Sequence, residues 1–162
     1  MYKTILLTLD GTPTDRAIIE HIKQLAKLSQ GRVVLLHVAD GYAAQTFGAD
    51  AVSPEITEDT AYLDKIRAEF QSVGIAAEAE LAYGDPPKEI LKWVGQKNCD
   101  LIAMAGHGHR LFGDIFHGST ITQVRHETTI PILLVRTPKN KNYFPSVESA
   151  GRSTKCGRFP SS

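Results

Sequence analysis

The feature that most constrains the fold is the alternation of short apolar runs with amphipathic segments along the chain. Residues 3–9 and 33–38 are mostly apolar, which is typical of strands covered on both faces in a parallel sheet. Between them, apolar residues recur at helical spacing from Ile18 to Leu25, and this predicts a helix over about 13–30. A strand, a helix and a second strand of these lengths form one crossover unit of an α/β protein.

The same alternation continues towards residue 137. It predicts further strands over 75–82, 100–105 and 131–136, and further helices over about 54–73, after Asp85-Pro86-Pro87, and over about 118–127. Strands that alternate with helices in this way favour an open parallel sheet with helices on both faces. We therefore predict a Rossmann-like α/β fold with a five-stranded parallel sheet, in one domain over 1–137. In such sheets ligands bind beyond the carboxyl ends of the strands, where the strand order reverses.

Turn-forming residues mark the expected boundaries. Thr12 and Pro13 are predicted to be the N-cap and the first residue of the first helix, and Gly31 is predicted to end that helix. The stretch 40–53 has no hydrophobic period and is predicted to be a mobile loop. Residues 138–162 are basic and rich in Ser, Pro and Gly, so we expect a flexible or artificial extension outside the fold.

Charge and cysteine content exclude several classes of function. The chain has 18 basic and 18 acidic residues, so no net field attracts it to nucleic acid or anionic lipid. Its first ten residues resemble neither a signal peptide nor a membrane span, and we expect a cytoplasmic protein with no membrane insertion. Cys99 and Cys156 lie far apart without a CxxC spacing, so neither a disulfide framework nor a thiolate zinc site is predicted.

The segment from Met104 to Thr120 is the most informative one, because glycines and hydroxyl residues lie between a predicted strand and a predicted helix. Gly108 would let backbone amides approach a ligand without a Cβ in the way. Gly118 and Ser119 are predicted to open a helix, whose free amides and dipole favour an anion. The alternative at this point is a tight turn followed by a serine N-cap.

This pattern resembles the universal stress protein family, whose nucleotide-binding members carry Gly-x-x-Gly, nine residues, and then Gly-Ser or Gly-Thr. Gly108, nine residues and Gly118-Ser119 fit that spacing. MYKTILLTLDG at the start, LLHV in the second strand, GDP at 84–86 and PILLVR near the end follow the family order over residues 1–137. One departure is that Ala105 stands where the motif has its first glycine.

The resemblance implies a fold of the adenine nucleotide alpha hydrolase-like type and a site for ATP or AMP, with or without Mg²⁺. The implied contacts with the adenine are Asp10, Val38 and Thr8. Those along the ribose and phosphates are Met104, Ala105 and Gly108, and those on the phosphates are Gly118, Ser119 and Thr120. His109 stands where the family often has Arg or Lys. The contact of His109 with phosphate would depend on pH. Asp10 also has a physical reason, since a carboxylate at the end of a strand can accept hydrogen bonds from a base or a sugar. The alternative for Asp10 is that it only caps the loop before Thr12.

The favoured function is a regulatory protein whose bound nucleotide alters its surface for an unknown protein partner. No Walker A lysine is present, so ATP hydrolysis, if any, is expected to be slow. An alternative is a family member that keeps the fold and binds no nucleotide, because Ala105 would cost about 1 kcal/mol if that position needs a positive φ. We expect no metal site, since His107, His109 and His117 have no further ligand at a recognised spacing.

Two enzymatic or signalling alternatives fit less well. An adenylyl-transferring enzyme would use His-x-Gly-His after the first strand, whereas His107-Gly-His109 lacks the intervening residue and follows the fourth. A phospho-acceptor receiver domain would need a second acid beside Asp10 and a lysine at the end of the fifth strand, where Arg136 stands.

The fifth strand is also expected to mediate assembly. It is strongly apolar and predicted to lie at a sheet edge, and edge strands invite pairing with another chain. Dimers of the resembled family often form by antiparallel contact of this strand across a two-fold axis, so the resemblance implies a homodimer. Ile132 and Leu134 would supply buried apolar surface, unless Leu134 faces the core of its own subunit. The alternative is a monomer in which the tail from 138 onward or a helix shields this edge.

Overall fold

The computed structural model describes residues 1–39, 54–106 and 115–136, which form a parallel sheet with helices on both faces. In chain order the elements are β1 (Thr4–Leu9), α1 (Asp15–Ser29), β2 (Arg32–Ala39), α2 (Pro54–Ser72), β3 (Ala77–Tyr83), α3 (Pro86–Lys97), β4 (Leu101–Gly106), α4 (Ile115–Glu127) and β5 (Ile132–Arg136). The five strands lie in the order β3-β2-β1-β4-β5, and all neighbouring pairs are parallel. The predicted Rossmann-like five-stranded sheet is confirmed.

A separate apolar layer covers each face of the sheet. Helices α1 and α2 pack on one face, where Phe70 is fully buried, and α3 and α4 pack on the other, where Val124 is. Leu6 and Leu7 of β1 are both fully buried, one in each layer, because successive strand residues point to opposite sides. Burial on both sides explains why the central strands are continuous apolar runs rather than alternating patterns.

The start of α1 differs from the sequence prediction. The helix begins at Asp15 with Thr14 at the N-cap position, so the assignment of Thr12 and Pro13 as N-cap and first helical residue was wrong. The backbone N–H and the hydroxyl of Thr12 both donate to Asp10 Oδ1, at 3.0 and 2.7 Å. Thr12 therefore closes an Asx-type turn at the end of β1 and is not available to cap the helix.

Other boundaries also shift. Helix α4 begins at Ile115 rather than at residue 118, which places Gly118 at the fourth helical position instead of at the entrance. Because the free amides of a helix belong to its first turn, the expected anion-facing amides come mainly from residues before Gly118. The predicted loop over 40–53 and the tail over 138–162 lie outside the described residues, and the domain boundary at 137 stays a prediction.

Strand β5 lies at an edge of the sheet, as predicted. Leu133 and Val135 pack against the layer of α1 and α2, and Ile132 packs against the opposite layer. Leu134 is 47% exposed, so it does not face the core of its own subunit. The alternative that would have buried Leu134 is therefore wrong: Leu134 lies on the same face of β5 as Ile132, but the described helices leave it half exposed.

The predicted end of α1 is confirmed, and Gly31 is essential to it for a steric reason. Gln30 has the left-handed φ of 53°, and the N–H of Gly31 donates to the carbonyl of Ala26 at 3.1 Å. A Cβ at Gly31 would lie 2.8 Å from the backbone carbonyl oxygen of Tyr2. The close approach of the helix end to the chain before β1 therefore requires glycine.

We expect Gly31→Ala to lower the free energy of unfolding by about 1–3 kcal/mol, because backbone atoms must move to admit the methyl group. Gly95→Ala is the matched control, since a Cβ at this helical glycine meets nothing within 4 Å. It should raise stability by about 0.5–1 kcal/mol through helix propensity. Urea denaturation of both variants checks the pair, and equal effects of the two substitutions would contradict the steric argument.

Candidate ligand site at the carboxyl ends of β1 and β4

The connections that leave β1 and β4 run to opposite faces of the sheet. β1 leads to α1, which belongs to one apolar layer, and β4 precedes α4, which belongs to the other. The chain runs outwards from β1 to β2 and β3 and then returns to place β4 on the other side of β1. This reversal of strand order is the point at which open α/β sheets bind their ligands.

A cavity of about 220 Å³ lies at this point. Its floor is the sheet face beneath α3 and α4, where Thr8, Val38 and Met104 line it. Ile90 of α3 and Ile121 of α4 line it from the helices. An apolar slot between a sheet and two helices, open at the strand ends, suits a flat apolar group such as an aromatic base.

Polar groups lie at the rim of the cavity, around the Asx turn that follows β1. Asp10, Thr12 and Thr120 line the cavity beside its apolar floor. One oxygen of Asp10 accepts both hydrogen bonds from Thr12, which confirms that Asp10 caps this loop. A carboxylate offers about four acceptor positions on its two oxygens, so loop capping and ligand binding are compatible roles for Asp10.

Asp15, in the first turn of α1, holds the same loop in place through hydrogen bonds. Its Oδ2 accepts hydrogen bonds from the N–H of Asp10 at 3.1 Å, from the N–H of Gly11 at 3.0 Å and from the hydroxyl of Tyr62 at 2.8 Å. Gly11 has a φ of 77°, a conformation that favours glycine. The β1–α1 turn is therefore fixed by a buried carboxyl group, and α2 is tied to it through Tyr62.

His37 fixes the cavity wall on the β2 side. Its Nδ1 lies 2.8 Å from the carbonyl oxygen of Leu9, and its Nε2 lies 3.3 Å from Asp59 Oδ2. A carbonyl oxygen can only accept, so Nδ1 carries a hydrogen and donates it. The imidazole of His37, a residue of β2, thereby links the end of β1 to α2.

The structure brings six of the ten predicted site residues to this cavity. They are Thr8, Asp10, Val38, Met104, Ala105 and Thr120. Gly108 and His109 lie outside the described residues. Gly118 and Ser119 belong to α4, but their side chains are not among those described. The predicted phosphate contacts therefore stay predictions, whereas the residues assigned to the adenine share one cavity.

Several lining residues were missed by the sequence analysis. Asp15, His37 and Ile90 line the cavity but carry no motif in the sequence. Ile90 falls in the helix predicted after Asp85-Pro86-Pro87, and neither it nor Asp15 is among the predicted site residues. The available signal for Asp15 was its spacing of five residues from Asp10 across a glycine turn, which can bring two carboxyl groups together.

Neither a metal-binding cluster nor a membrane-spanning helix is present in the part of the chain that the structure describes. Within it, no group of three His, Cys, Asp or Glu side chains is arranged to hold a metal ion. None of the described helices is long and apolar enough to cross a membrane.

Comparison with known proteins identifies the family. The model of the universal stress protein family matches residues 1–136. A universal stress protein of Thermus aquaticus is 30% identical over 141 residues, which cover 84% of this chain and all of that relative. A second, from Methanocaldococcus jannaschii, is 27% identical over 155 residues, covering 84% of this chain and 96% of the relative.

Solved structures agree with this result. The structure of the Methanocaldococcus jannaschii protein matches with a TM-score of 0.72 over 86% of this chain and 99% of that one. A universal stress protein from Archaeoglobus fulgidus, solved in complex with dAMP, matches at 17% identity with a TM-score of 0.61, over 82% of this chain and 97% of that one. With the family model matching nearly every residue up to the end of β5, this chain belongs to the universal stress protein family.

Proposed function

We propose that this chain binds an adenine nucleotide, ATP or AMP, in the cavity at the ends of β1 and β4, and acts as a regulatory protein rather than as an enzyme. The observation that carries the proposal is the cavity itself, with an apolar floor between sheet and helices and a carboxylate at its rim. The bound nucleotide would alter the surface around the β1–α1 turn, which a protein partner could recognise.

The residues present fit the base better than the whole nucleotide. A volume of about 220 Å³ is below the roughly 300–1,000 Å³ of sites that enclose drug-sized ligands. The adenine would therefore lie against Val38 and Met104, with Asp10 accepting hydrogen bonds from the base or the ribose. The phosphates would extend towards the chain after Gly106, where Gly108, His109, Gly118 and Ser119 are proposed to contact them. Mg²⁺, if it binds with ATP, would be held by the ATP phosphates.

Two observations support nucleotide binding over the alternative in which the family fold persists without a ligand. The Archaeoglobus fulgidus relative of the same fold was solved with dAMP. Within this chain, the only described non-glycine residues with a positive φ are Gln30 and Asn98. Ala105 therefore adopts a backbone conformation that alanine tolerates, and the cost expected from the missing glycine does not arise.

The receiver-domain alternative is not supported. Receiver domains have the strand order 2-1-3-4-5, whereas this sheet has the order 3-2-1-4-5. No acid follows Asp10 at the end of β1, and Asp15 in α1 accepts hydrogen bonds from the backbone of Asp10 and Gly11. For the adenylyl-transferring alternative, His107 and His109 lie outside the described residues, so no observation favours it.

The direct test is to denature the purified protein and to analyse the supernatant for adenine nucleotides, followed by calorimetric titration of nucleotide-free protein with ATP and with AMP. We expect binding of at least one of the two. If neither nucleotide binds at millimolar concentration to a folded protein, the proposed function is wrong.

We also propose that the native protein is a homodimer that pairs through β5. An edge strand leaves one row of N–H and C=O groups without a partner strand, and the half-exposed Leu134 adds apolar surface beside them. A two-fold axis would let the same strand serve both subunits.

Leu134→Lys is expected to convert the dimer to a monomer, because a lysine at the centre of the interface would meet its symmetry mate across the axis. Leu28→Lys is the matched control, since Leu28 is 80% exposed on α1 and should leave the dimer intact. Sedimentation velocity at high micromolar concentration checks both variants. A native protein that sediments as a monomer would refute the assembly.

A further inference from the structure

The carboxyl group of Asp15 lies in a buried position where its ionised form is energetically unfavourable. It is 1% exposed, although it lines the cavity of the proposed nucleotide site. Its Oδ2 is well satisfied by the backbone of Asp10 and Gly11 and by Tyr62. An ionised group in such a position loses the hydration it would have in water.

The second oxygen of Asp15 indicates how the penalty of burying an ionised carboxyl group is avoided. Oδ1 is buried and has no hydrogen-bond partner among the described residues. A bare carboxylate oxygen needs a donor, but a protonated one is itself a donor and needs an acceptor. The acceptor at hand is Asp10, whose carboxylate interacts with the Asp15 side chain. A proton on Asp15 Oδ1 would therefore supply the hydrogen bond that this buried oxygen lacks among the described residues.

We propose that Asp15 holds one proton against the carboxylate of Asp10, and that this proton keeps Asp10 in position while the pair carries a single negative charge at the mouth of the nucleotide cavity. This inference rests on the proposed function and adds its regulation. Asp15 is a positioning residue, because it acts on the ligand through Asp10 and through the charge of the pair. Loss of the proton places two carboxylates side by side and adds a negative charge near an anionic ligand.

The charged and titratable groups around Asp15 come from three elements. Asp10 faces it from the end of β1 and Tyr62 from α2, and Arg16, the next residue of α1, acts on Tyr62. Burial, followed by the charge of Asp10, raises the pKa of Asp15 to about 7. Tyr62 opposes this rise by donating to Oδ2, and its own pKa is raised, chiefly by burial, so that it stays a donor. His37 and its partner Asp59 lie on the β2 side of the same cavity.

Proton release from Asp15 therefore falls near neutral pH. Below about pH 7 the pair carries one negative charge, and above it the pair carries two. Because a unit charge is felt over several ångströms in a partly buried site, ATP should bind more weakly as the pH rises through this range. The helix dipole at the start of α1 favours the ionised form, but it is smaller than the effect of burial.

The test compares the native protein with Asp15→Asn, whose amide mimics the protonated acid by donating to Asp10 while its oxygen accepts the same three hydrogen bonds. ATP affinity is measured by calorimetry for both proteins between pH 5.5 and pH 8.5. Titration of the ATP phosphates and of His109 is common to both, so the ratio of their dissociation constants isolates Asp15. We expect this ratio, native over variant, to rise roughly tenfold as the pH rises through about 7.

Glu69→Gln is the matched control. It changes a carboxylate to an amide at the same α1–α2 contact, where Glu69 pairs with Arg16 and Lys23 away from the cavity. Its ATP affinity should follow the native pH profile. A ratio for Asp15→Asn that stays constant over the whole pH range would overturn the proposal.

A ligand-independent measurement separates this proposal from the proposed function. In the full chain, the side-chain carboxyl carbon of Asp15 is followed by NMR as the pH is changed. If no protein binds ATP at any pH, the proposed function is wrong, and the carboxyl titration alone decides the inference. A transition of Asp15 near pH 7 that also perturbs Asp10 supports it. A transition of Asp15 below pH 5, in the range of an ordinary aspartate, overturns it.

Discussion

Thr8→Phe is expected to lower the affinity for ATP and AMP by at least about 100-fold, which is roughly 3 kcal/mol at 1.4 kcal/mol per tenfold. Thr8 lies in the central strand opposite Leu36 and forms part of the floor of the cavity. A phenyl ring at this position would fill the space that the adenine needs. The protein should remain folded, because the ring enters an existing cavity instead of a close-packed region.

Thr8→Val is the matched control for this result. Valine keeps the shape of threonine and removes only the hydroxyl, which donates to the carbonyl of Ala103 at 3.4 Å, a long and weak hydrogen bond. We expect its affinity to stay within a few-fold of the native value. Calorimetric titration, with thermal melting as the check on folding, measures all three proteins. A folded Thr8→Phe protein with native affinity would place the nucleotide elsewhere.

The central strands and helix faces were predictable from the sequence because burial on both sides leaves a clear pattern. Leu6 and Leu7 are neighbours in sequence and both fully buried, so β1 had to be a strand covered on both faces. The same argument fails for β5. Its residues Ile132–Val135 are all apolar, and the sequence alone does not show which of them an edge position leaves exposed. Only the structure shows that Leu134 is the exposed one.

The start of α1 was not predictable because Thr12 has two possible roles, as the N-cap of the helix or as a hydrogen-bond partner of Asp10 in the loop. Thr12 followed by Pro13 matches the pattern of an N-cap and first helical residue. In the structure Asp10 accepts the two hydrogen bonds of Thr12, and the helix begins only at Asp15. A side chain that can bond to its own loop often takes precedence over a helix cap, and no sequence rule ranks the two outcomes.

The candidate site was predicted where it follows from strand ends and missed where it depends on packing between elements. Thr8 and Asp10 end β1, and Met104 and Ala105 end β4, so their meeting follows from parallel strands and the switch point. Asp15 and His37 reach the cavity through contacts with α2, at Tyr62 and Asp59. The sequence gives no indication of these pairings, because the partners lie far apart in the chain, by 47 residues for Asp15 and Tyr62.

The second large effect is expected in stability and needs no ligand. The free energy of unfolding of the native protein, relative to Asp15→Asn, should fall as the pH rises from about 4 to about 7. In the unfolded chain Asp15 has its ordinary pKa of 3.8, and burial with the charge of Asp10 raises the pKa to about 7 in the folded protein. Between these values the folded state holds a proton that the unfolded state has lost, so raising the pH favours unfolding. At 1.36 kcal/mol per pKa unit, the change approaches about 4 kcal/mol.

Glu69→Gln should give a difference of the opposite sign, which makes the comparison specific to Asp15. Hydrogen bonding to Arg16, with Lys23 beside it, lowers the pKa of Glu69 to about 2, so its contribution to stability is present above the unfolded pKa and is lost as the pH falls towards 2. Urea denaturation at pH values from about 3 to about 8 measures the three proteins under identical conditions, and titrations common to all of them cancel in the differences. If the native protein and Asp15→Asn keep a constant difference across this range, Asp15 is ionised in the folded state, and the raised pKa is wrong. If the difference falls with rising pH for Asp15 and not for Glu69, the buried acid beside Asp10 is the group that binds the proton.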